Sequence, residues 1–328
     1  MSYFTPISSG SRRGGSRSRR KRKSSLPEGS AWSRFKADLR DVRERYMKQT
    51  SAEHKRLVLL LILIGAVVRV LLMLRPITGD EALAYMTFAR QPIGGLLSDF
   101  SLPSNNLLHT LLMKWSTGIF GVNVVAMRLP ALIAGLLCLP FYYLFVRAMF
   151  NRYIAVVALA LAATFPAQAE LGAMAHGYSF IWFALSVALV LGRHLAKENN
   201  LWTAVFLGIV LALGVWAHPS GVYAALLVLL WLLFSLLGKY ERSLTERLVM
   251  LGIAAAVFVA ATALCYLPVM AKHGIDHLLQ HVIDGRLPWK VYQKAYPDHA
   301  LAVWTWLTDP VGGWFGLLGF GLARRIER

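Results

Sequence analysis

The chain has 328 residues, a formal net charge of +18, 56% hydrophobic residues and 16% charged residues. Soluble globular domains carry about 25% charged and about 45–50% apolar residues, so this composition excludes an ordinary soluble domain and favours an integral membrane protein. It also excludes intrinsic disorder for most of the chain. The cysteines, Cys138 and Cys265, lie in long apolar runs, which argues against a secreted disulfide scaffold.

Much of the charge lies at the N-terminus. Residues 1–56 hold 16 of the 35 Lys and Arg residues and 5 of the 17 acidic residues, a net charge of +11. Residues 1–30 are rich in Ser, Gly and Arg and are expected to form a disordered basic tail in the cytoplasm. This tail fits attraction to anionic membrane lipids better than nucleic-acid binding, so no nucleic-acid partner is predicted. Apolar residues at three- and four-residue spacing predict an amphipathic helix over residues 31–56, lying on the cytoplasmic membrane surface.

Eight apolar runs predict membrane-spanning helices, because a helix needs about 17–25 residues to cross about 30 Å of hydrocarbon. Together they predict an all-α polytopic membrane domain over residues 57–328. Asp309-Pro310 interrupts the last run. The runs cover residues 57–74, 128–146, 153–169, 178–195, 201–217, 222–237, 248–270 and 302–322.

Basic residues in the short loops predict the orientation of these spans, because cytoplasmic loops carry an excess of Lys and Arg. The basic loops alternate with poorly charged ones, which places both chain termini in the cytoplasm. Two long loops then lie on the outer face, over residues 75–127 and 271–300. A loop of such length is usually functional or disordered, and residues 75–127 are too apolar for disorder.

An acidic pair, Asp80-Glu81, follows the first span closely. Thr78 and Glu81 have the spacing of a helix capping box, in which each side chain bonds the other's backbone N–H. This structural interpretation of Glu81 stands beside a catalytic one. Asp80 is not required for the cap, and an ionised carboxylate near a helix N-terminus can accept a proton from an attacking hydroxyl.

The same loop predicts two interfacial helices, around residues 80–90 and 107–120. In the second, Leu108, Leu111, Leu112, Trp115 and Ile119 share one helical face, and polar residues including His109 break the remainder. Both helices would therefore lie beside Asp80 on the outer membrane face.

Cations on the outer loops suit a phosphate leaving group. The candidates considered first are Arg75, Arg286 and Lys290, because Arg grips phosphate bidentately; simple interfacial anchoring is the alternative for each. Arg69, inside the first span, needs a polar partner, and Glu170 is the predicted one.

The last outer loop raises a metal site as an alternative to an ordinary interfacial helix. His273, His277 and His281 recur at four-residue spacing, and three histidines on one helical face can ligate a metal. A divalent metal is left open on this basis, and no metal-ligating residue is assigned.

Five segments in order resemble the dolichyl-phosphate-mannose protein mannosyltransferase superfamily, whose bacterial relatives include the aminoarabinose and galacturonic acid transferases of lipopolysaccharide. They are Asp80-Glu81, residues 103–111, Phe120-Gly121, residues 128–135 and residues 147–150. The resemblance covers roughly residues 57–221 and implies a C-type glycosyltransferase (GT-C) fold. It further implies that a sugar is taken from a polyprenyl-phosphate donor on the outer face.

The resemblance also implies roles for individual residues. Asp80 takes the place of the catalytic carboxylate, with Glu81 as a supporting acid. His109, His176, Tyr178 and His218 join the cations as donor-binding candidates. His176 stands where family members often have arginine, in the turn Ala175-His176-Gly177-Tyr178.

These features together predict a membrane glycosyltransferase of the inner or plasma membrane that passes a sugar to a lipid, glycan or protein acceptor. Two alternatives come from other classes of protein. One is a non-catalytic or degenerate subunit of a cell-envelope glycan pathway. The other is a transporter or flippase of lipid-linked sugars, although transporters tend to place ionisable groups near mid-membrane.

Overall fold

The computed structural model describes residues 30–48, 50–102, 104–236, 238 and 243–284, together with 290, 291, 293–298, 300, 301 and 304. The basic tail, residues 1–29, lies outside the described residues. Within them the regular structure is helical, and no β-strand occurs. A five-residue π-helical turn, Tyr85–Ala89, follows α3. The helices are α1 Ala31–Lys48, α2 Ala52–Met73, α3 Gly79–Ala84, α4 Ile93–Ser98, α5 Leu107–Phe120, α6 Val124–Met149, α7 Arg152–Thr164, α8 Pro166–Ala173, α9 Tyr178–Glu198, α10 Leu201–Ala217, α11 Gly221–Ser235 and α12 Leu244–Asp284.

The helices coincide with the apolar runs of the sequence, which confirms an all-α polytopic membrane protein. In the described residues, α2, α6, α9 and the Leu244–Asp276 part of α12 are long and apolar enough to cross a membrane. The bent pair of α7 and α8 makes a fifth candidate. Two further apolar helices, α10 and α11, are shorter, at 17 and 15 residues. The predicted eighth span, residues 302–322, lies outside the described residues except for residue 304.

The largest core cluster centres on α10, which packs against α9, α11 and α12. Leu207 and Leu211 of α10 are buried there together with Val228 of α11. Gly208 permits a close crossing, because a Cβ at that position would lie 2.6 Å from the carbonyl oxygen of Ala254 in α12. A second cluster joins α2, α6 and α7 around Leu139 and Leu159.

A sharp bend of 56° separates α7 from α8. Pro166 begins α8 and has no backbone N–H, so the carbonyl of Ala162 loses its helical partner. Arg69 of α2 replaces it. Its guanidinium donates to the carbonyls of Ala162 at 3.2 Å, Ala163 at 3.0 Å and Gly65 at 3.1 Å. The buried cation is therefore held by the carbonyls at the end of a broken helix.

The predicted pairing of Arg69 with Glu170 is wrong. Glu170 instead accepts from Arg75 at 3.1 Å, and both of those side chains are about half exposed. The helix break provides Arg69 with carbonyl acceptors inside the bundle. Glu170 lies at the end of the bundle instead, where it pairs with Arg75.

The N-terminal helix α1 covers residues 31–48 of the predicted amphipathic segment, and α2 begins at residue 52. Its aromatic side contacts α10: the ring of Trp32 lies 5.2 Å from that of Trp202, and Phe35 lies 5.4 Å from Phe206. Asn200 donates to the carbonyl of Ala31. The aromatic start of α1 thus packs on the start of α10, at the end of the bundle opposite to the C-terminus of α2, whereas Leu39 of α1 is exposed.

Candidate functional site

The segment after α2 turns back into the bundle through Glu81, which is fully buried. Thr78 is the N-cap of α3, and the predicted capping box is present. Its backbone N–H and its hydroxyl both donate to Glu81 Oε2, at 2.9 and 3.0 Å. On the other side, the backbone N–H of Ala175 donates to Glu81 Oε1 at 2.7 Å. One carboxylate therefore joins the start of α3 to the turn before α9.

Arg128 completes the environment of Glu81. Its guanidinium grips both carboxylate oxygens, with Nε 2.7 Å from Oε1. The remaining donors bond the carbonyls of Met73, Arg75 and Pro76, at the exit of α2. Sequence reasoning assigned no role to Arg128, although its position at the head of an apolar run is the signal that an intramembrane cation needs a partner.

The bonds to Glu81 keep it ionised. Burial by itself would raise the pKa of Glu81, but the hydrogen bonds from Arg128, Ala175 and Thr78 outweigh burial and lower this pKa to about 2. Both oxygens are occupied by protein donors. This favours a structural role for Glu81 over the predicted role as a supporting acid.

Asp80 has the opposite environment, although it is the adjacent residue. Its side chain is exposed at the first turn of α3. It lies close enough to His176 for its charge to raise the pKa of that imidazole, against the larger lowering effect of burial. The acidic pair therefore divides into a buried carboxylate that supports the fold and an exposed one that remains available.

Three of the predicted donor-binding residues lie together, and one of them, His176, is near Asp80. The rings of Tyr178 and His218 are 4.7 Å apart, and those of His176 and Tyr178 are 5.9 Å apart. Gly177 makes this approach possible, because a Cβ there would collide with the carbonyl oxygen of Ala217. The turn before α9 and the end of α10 thus meet without a side chain between them.

The protonation of His218 follows from its neighbours. Its Nδ1 accepts from the backbone N–H of Ser220 at 3.1 Å, so in the neutral ring the proton resides on Nε2. Burial, helped by the nearby His176, lowers the pKa of His218 to about 4. At neutral pH this ring is therefore an uncharged hydrogen-bond donor.

Helix α5 turns its polar side inwards. His109, Thr110, Ser116 and Thr117 are buried, whereas Ile119 is 74% exposed. On the predicted apolar face, Trp115 and Ile119 are exposed whereas Leu111 is buried, so this face borders both the surroundings and the protein. The His109 ring lies 6.0 Å from that of Phe180 in α9. Burial, with a contribution from His176, lowers the pKa of His109 to about 3.

An apolar groove of about 330 Å³ runs beside these residues. Helices α5, α6 and α9 line it, with Leu112, Leu129 and Phe183 among its walls. Phe180 belongs both to the groove and to the surroundings of His109. Exposed residues on its rim, including Ile119 and Ile133, leave it open on its lipid-facing side.

The cations of the outer loops are distributed differently. Arg75 is paired with Glu170, and Lys114 donates to the carbonyls of Ala89 and Gln91, at 3.0 and 2.8 Å. Lys290 is exposed, and Arg286 lies outside the described residues. The structure thus brings Asp80, His109, His176, Tyr178 and His218 together, whereas Arg75 is engaged by Glu170.

The metal site that was left open as an alternative for His273, His277 and His281 cannot be followed through the structure, because the side chains of His277 and His281 lie outside the described ones. Within the described residues, no group of three or more His, Cys, Asp or Glu side chains is placed to hold a metal ion.

Comparison with protein families gives one match. Residues 104–266, about half of the chain, match the model of the dolichyl-phosphate-mannose-protein mannosyltransferase family. His109, Arg128, His176, Tyr178 and His218 lie inside this region, and Asp80 and Glu81 precede it. A search of curated proteins and a search of solved structures found no match.

Proposed function

We propose that this chain, which belongs over residues 104–266 to the dolichyl-phosphate-mannose-protein mannosyltransferase family, transfers a sugar from a polyprenyl-phosphate donor. Members of this family are membrane glycosyltransferases of the GT-C type. The acceptor is a lipid, a glycan or a protein. One observation carries the proposal: an exposed carboxylate, Asp80, lies at the same end of the bundle as three neutral histidines and a tyrosine, and an apolar groove adjoins them.

The proposed reaction is a displacement at the anomeric carbon. An acceptor hydroxyl forms a bond to this carbon while the bond from the carbon to the phosphate oxygen breaks. Asp80 accepts the proton of the hydroxyl, and polyprenyl phosphate leaves. A single displacement inverts the anomeric configuration.

Stabilisation of the leaving phosphate is assigned to neutral donors. His218 presents Nε2–H, because its Nδ1 is occupied by Ser220, and the Tyr178 ring lies 4.7 Å from it at a tilt of 32°. Donors held in place before the reaction stabilise developing charge without reorganising. His176 stands beside both rings and beside Asp80.

The groove between α5, α6 and α9 suits the first isoprene units of the donor. Its walls are almost entirely apolar, and it opens towards the lipid. A prenyl chain buried there would gain about 25 cal/mol per Å² of apolar surface removed from water. Since Phe180 connects the groove to His109, a chain in the groove would direct its phosphate towards the histidines.

The proposal includes an orientation. The basic N-terminus and α1 lie in the cytoplasm, as the distribution of Lys and Arg indicates. The end of the bundle with Asp80 then faces the outer side of the inner or plasma membrane. Labelling of single cysteines in residues 30–48 and 75–80 by a membrane-impermeant reagent tests this orientation.

The test of the mechanism is Asp80→Asn, assayed for sugar transfer from a lipid donor in membranes. Loss of the base should lower the rate by about 10²- to 10⁴-fold, with no change in thermal stability because Asp80 is exposed. Glu170→Gln, an exposed acid at the same end of the bundle, is the matched control and should keep its activity. Full activity of Asp80→Asn would refute the mechanism, and absence of transfer by the wild type would favour the non-catalytic subunit.

A further inference from the structure

The start of α5 concentrates buried polar atoms that have no hydrogen-bond partner. Seven buried side-chain nitrogen and oxygen atoms of residues 104–116 have no hydrogen-bond partner among the described residues. Asn106 caps α5, and His109 and Thr110 follow one helical turn later, on the same side of the helix. All three residues are at least 97% buried. Unpartnered buried groups cost about 1–3 kcal/mol each, so a concentration of them indicates a place where water or a ligand binds.

Two of the unpartnered atoms, the Oδ1 atoms of Asn105 and Asn106, can only accept, whereas the hydroxyls of this segment can accept or donate. Asn105 donates its amide N–H groups to the carbonyls of Leu96 and Asp99, which can only accept, so its Oδ1 must face elsewhere. Asn106 donates to the carbonyl of Ser104, which likewise leaves Oδ1 free. The neutral His109 contributes one acceptor and one donor. The cluster therefore suits a partner that donates hydrogen bonds to the amide oxygens and can also accept them, as sugar hydroxyls do.

Two cations near this cluster, one buried and one half-buried, are already engaged. Arg128 is bound to Glu81, and Lys114 of α5 is bound to two backbone carbonyls. Lys272 acts on the carboxylate of Asp99, which itself accepts from Gln91 and Ser101. A carboxylate or phosphate placed among the amide oxygens would therefore lack a counter-charge. Hydroxyl or amino groups would find acceptors.

We propose that Asn106, His109 and Thr110, with Ser179 of α9, form the subsite for the transferred sugar, and that this sugar is neutral or amino-substituted and not a uronic acid. The inference rests on the proposed function. Ser179 is fully buried, its hydroxyl is also unpartnered, and it precedes Phe180, which contacts His109. The sugar hydroxyls donate to the amide and hydroxyl oxygens, and the phosphate remains outside, towards His218.

Two threonines of α5 provide a matched test. Thr110 is unpartnered, whereas the buried hydroxyl of Thr117 donates to the carbonyl of Met113 at 2.9 Å in its own helix. Binding is measured on the purified full chain in nanodiscs without acceptor. The probes are short-chain prenyl phosphates carrying mannose, a 4-amino pentose, galacturonate or no sugar.

We expect mannose and the amino sugar to raise affinity over the bare prenyl phosphate, and galacturonate to bind about tenfold or more weakly than mannose. Thr110→Val should weaken binding of the mannose probe about three- to tenfold, the loss of one neutral hydrogen bond, and leave binding of the bare prenyl phosphate unchanged. Thr117→Val should change neither. The melting temperature of Thr110→Val should not fall, because the hydroxyl it removes has no partner to lose.

The outcomes separate the two proposals. If the bare prenyl phosphate binds but a sugar adds nothing, or if galacturonate binds as well as mannose, the subsite is overturned and the lipid-donor function stands. Equal losses in Thr110→Val and Thr117→Val would also overturn the subsite, since they would indicate general damage to α5. If no prenyl phosphate binds, the proposed function fails as well.

Discussion

Glu81→Gln should destabilise the fold around the site without removing a group that takes part in the reaction. The substitution preserves size but removes the charge that Arg128 requires, in a pair where both side chains are at most 2% exposed. Removing one partner of a buried ion pair costs about 3–5 kcal/mol. The lowering of the Glu81 pKa from 4.5 to about 2 leads to a similar figure, roughly 3 kcal/mol.

The pH dependence of this contribution has a definite sign. Since the pKa of Glu81 is lower in the folded protein than in the unfolded chain, its stabilisation is complete above about pH 4.5 and disappears as the pH falls towards about 2. At neutral pH the wild type therefore has the full benefit and the glutamine variant has none.

The measurement is thermal unfolding of the purified protein in detergent at pH 7, with Glu170→Gln as control. Glu81→Gln should lower the melting temperature by about 5–10 °C. Glu170→Gln breaks an Arg–Glu pair that is about half exposed and should cost less than about 1 kcal/mol. If both variants melt alike while Glu81→Gln loses transfer activity, the structural interpretation of Glu81 is refuted and a catalytic one is favoured.

Three further predictions concern the packing around the site. Arg69→Met should destabilise the protein, and Pro166→Ala should reduce that loss, because the restored backbone N–H can bond the carbonyl of Ala162 that Arg69 bonds in the wild type. A double-mutant cycle of melting temperatures measures this. Equal losses from Arg69→Met with and without Pro166→Ala would contradict the assignment. Gly177→Ala should reduce both stability and activity, because the added Cβ would push the turn before α9 away from α10. Gly252→Ala should be neutral, because nothing lies within 4 Å of a Cβ at that position. Equal melting temperatures of the two variants would count against the close contact at Gly177. Since the pKa of His109 is lowered to about 3, acidification from pH 6.5 to 5 should lower the free energy of unfolding of the wild type by about 2 kcal/mol more than that of His109→Gln. The measurement is the melting temperature of both proteins against pH. Parallel profiles would exclude a buried neutral His109 ring.

The helices of this protein could be predicted because hydropathy and helix length are local properties. The predicted run 201–217 has the same bounds as helix α10, and the interfacial helix 107–120 coincides with α5. The Thr78–Glu81 capping box was likewise visible as a four-residue pattern. Each of these depends on neighbours within a few residues.

The partners of buried charges could not be predicted in the same way. Arg128 and Glu81 are 47 residues apart, and no local pattern relates them. Arg69 was expected to find a carboxylate, but it bonds carbonyls freed by the break at Pro166. The helix break can be predicted from Pro166. Which cation bonds the freed carbonyls depends instead on how α2 packs against α7.

Which side of α5 faces the protein could not be decided from the sequence, for a physical reason. An apolar stripe indicates the buried side of a helix in water, but in a bilayer the lipid is as apolar as the core. The polar side of α5 therefore turns inwards, where His109 and Thr110 are buried. In a membrane protein the polar face of a helix in a loop is the better indicator of the functional interior.

The bonding of Arg69 also has a consequence for biogenesis. An arginine inside an isolated span is opposed by up to about 2.5–3.5 kcal/mol during membrane insertion, and its acceptor on α7 is synthesised 94 residues later. At about 5–20 residues per second, that interval is roughly 5–20 seconds. During this time the strongly apolar remainder of α2, with a mean hydropathy of 2.6, has to retain the helix in the bilayer until the nascent chain delivers its partner.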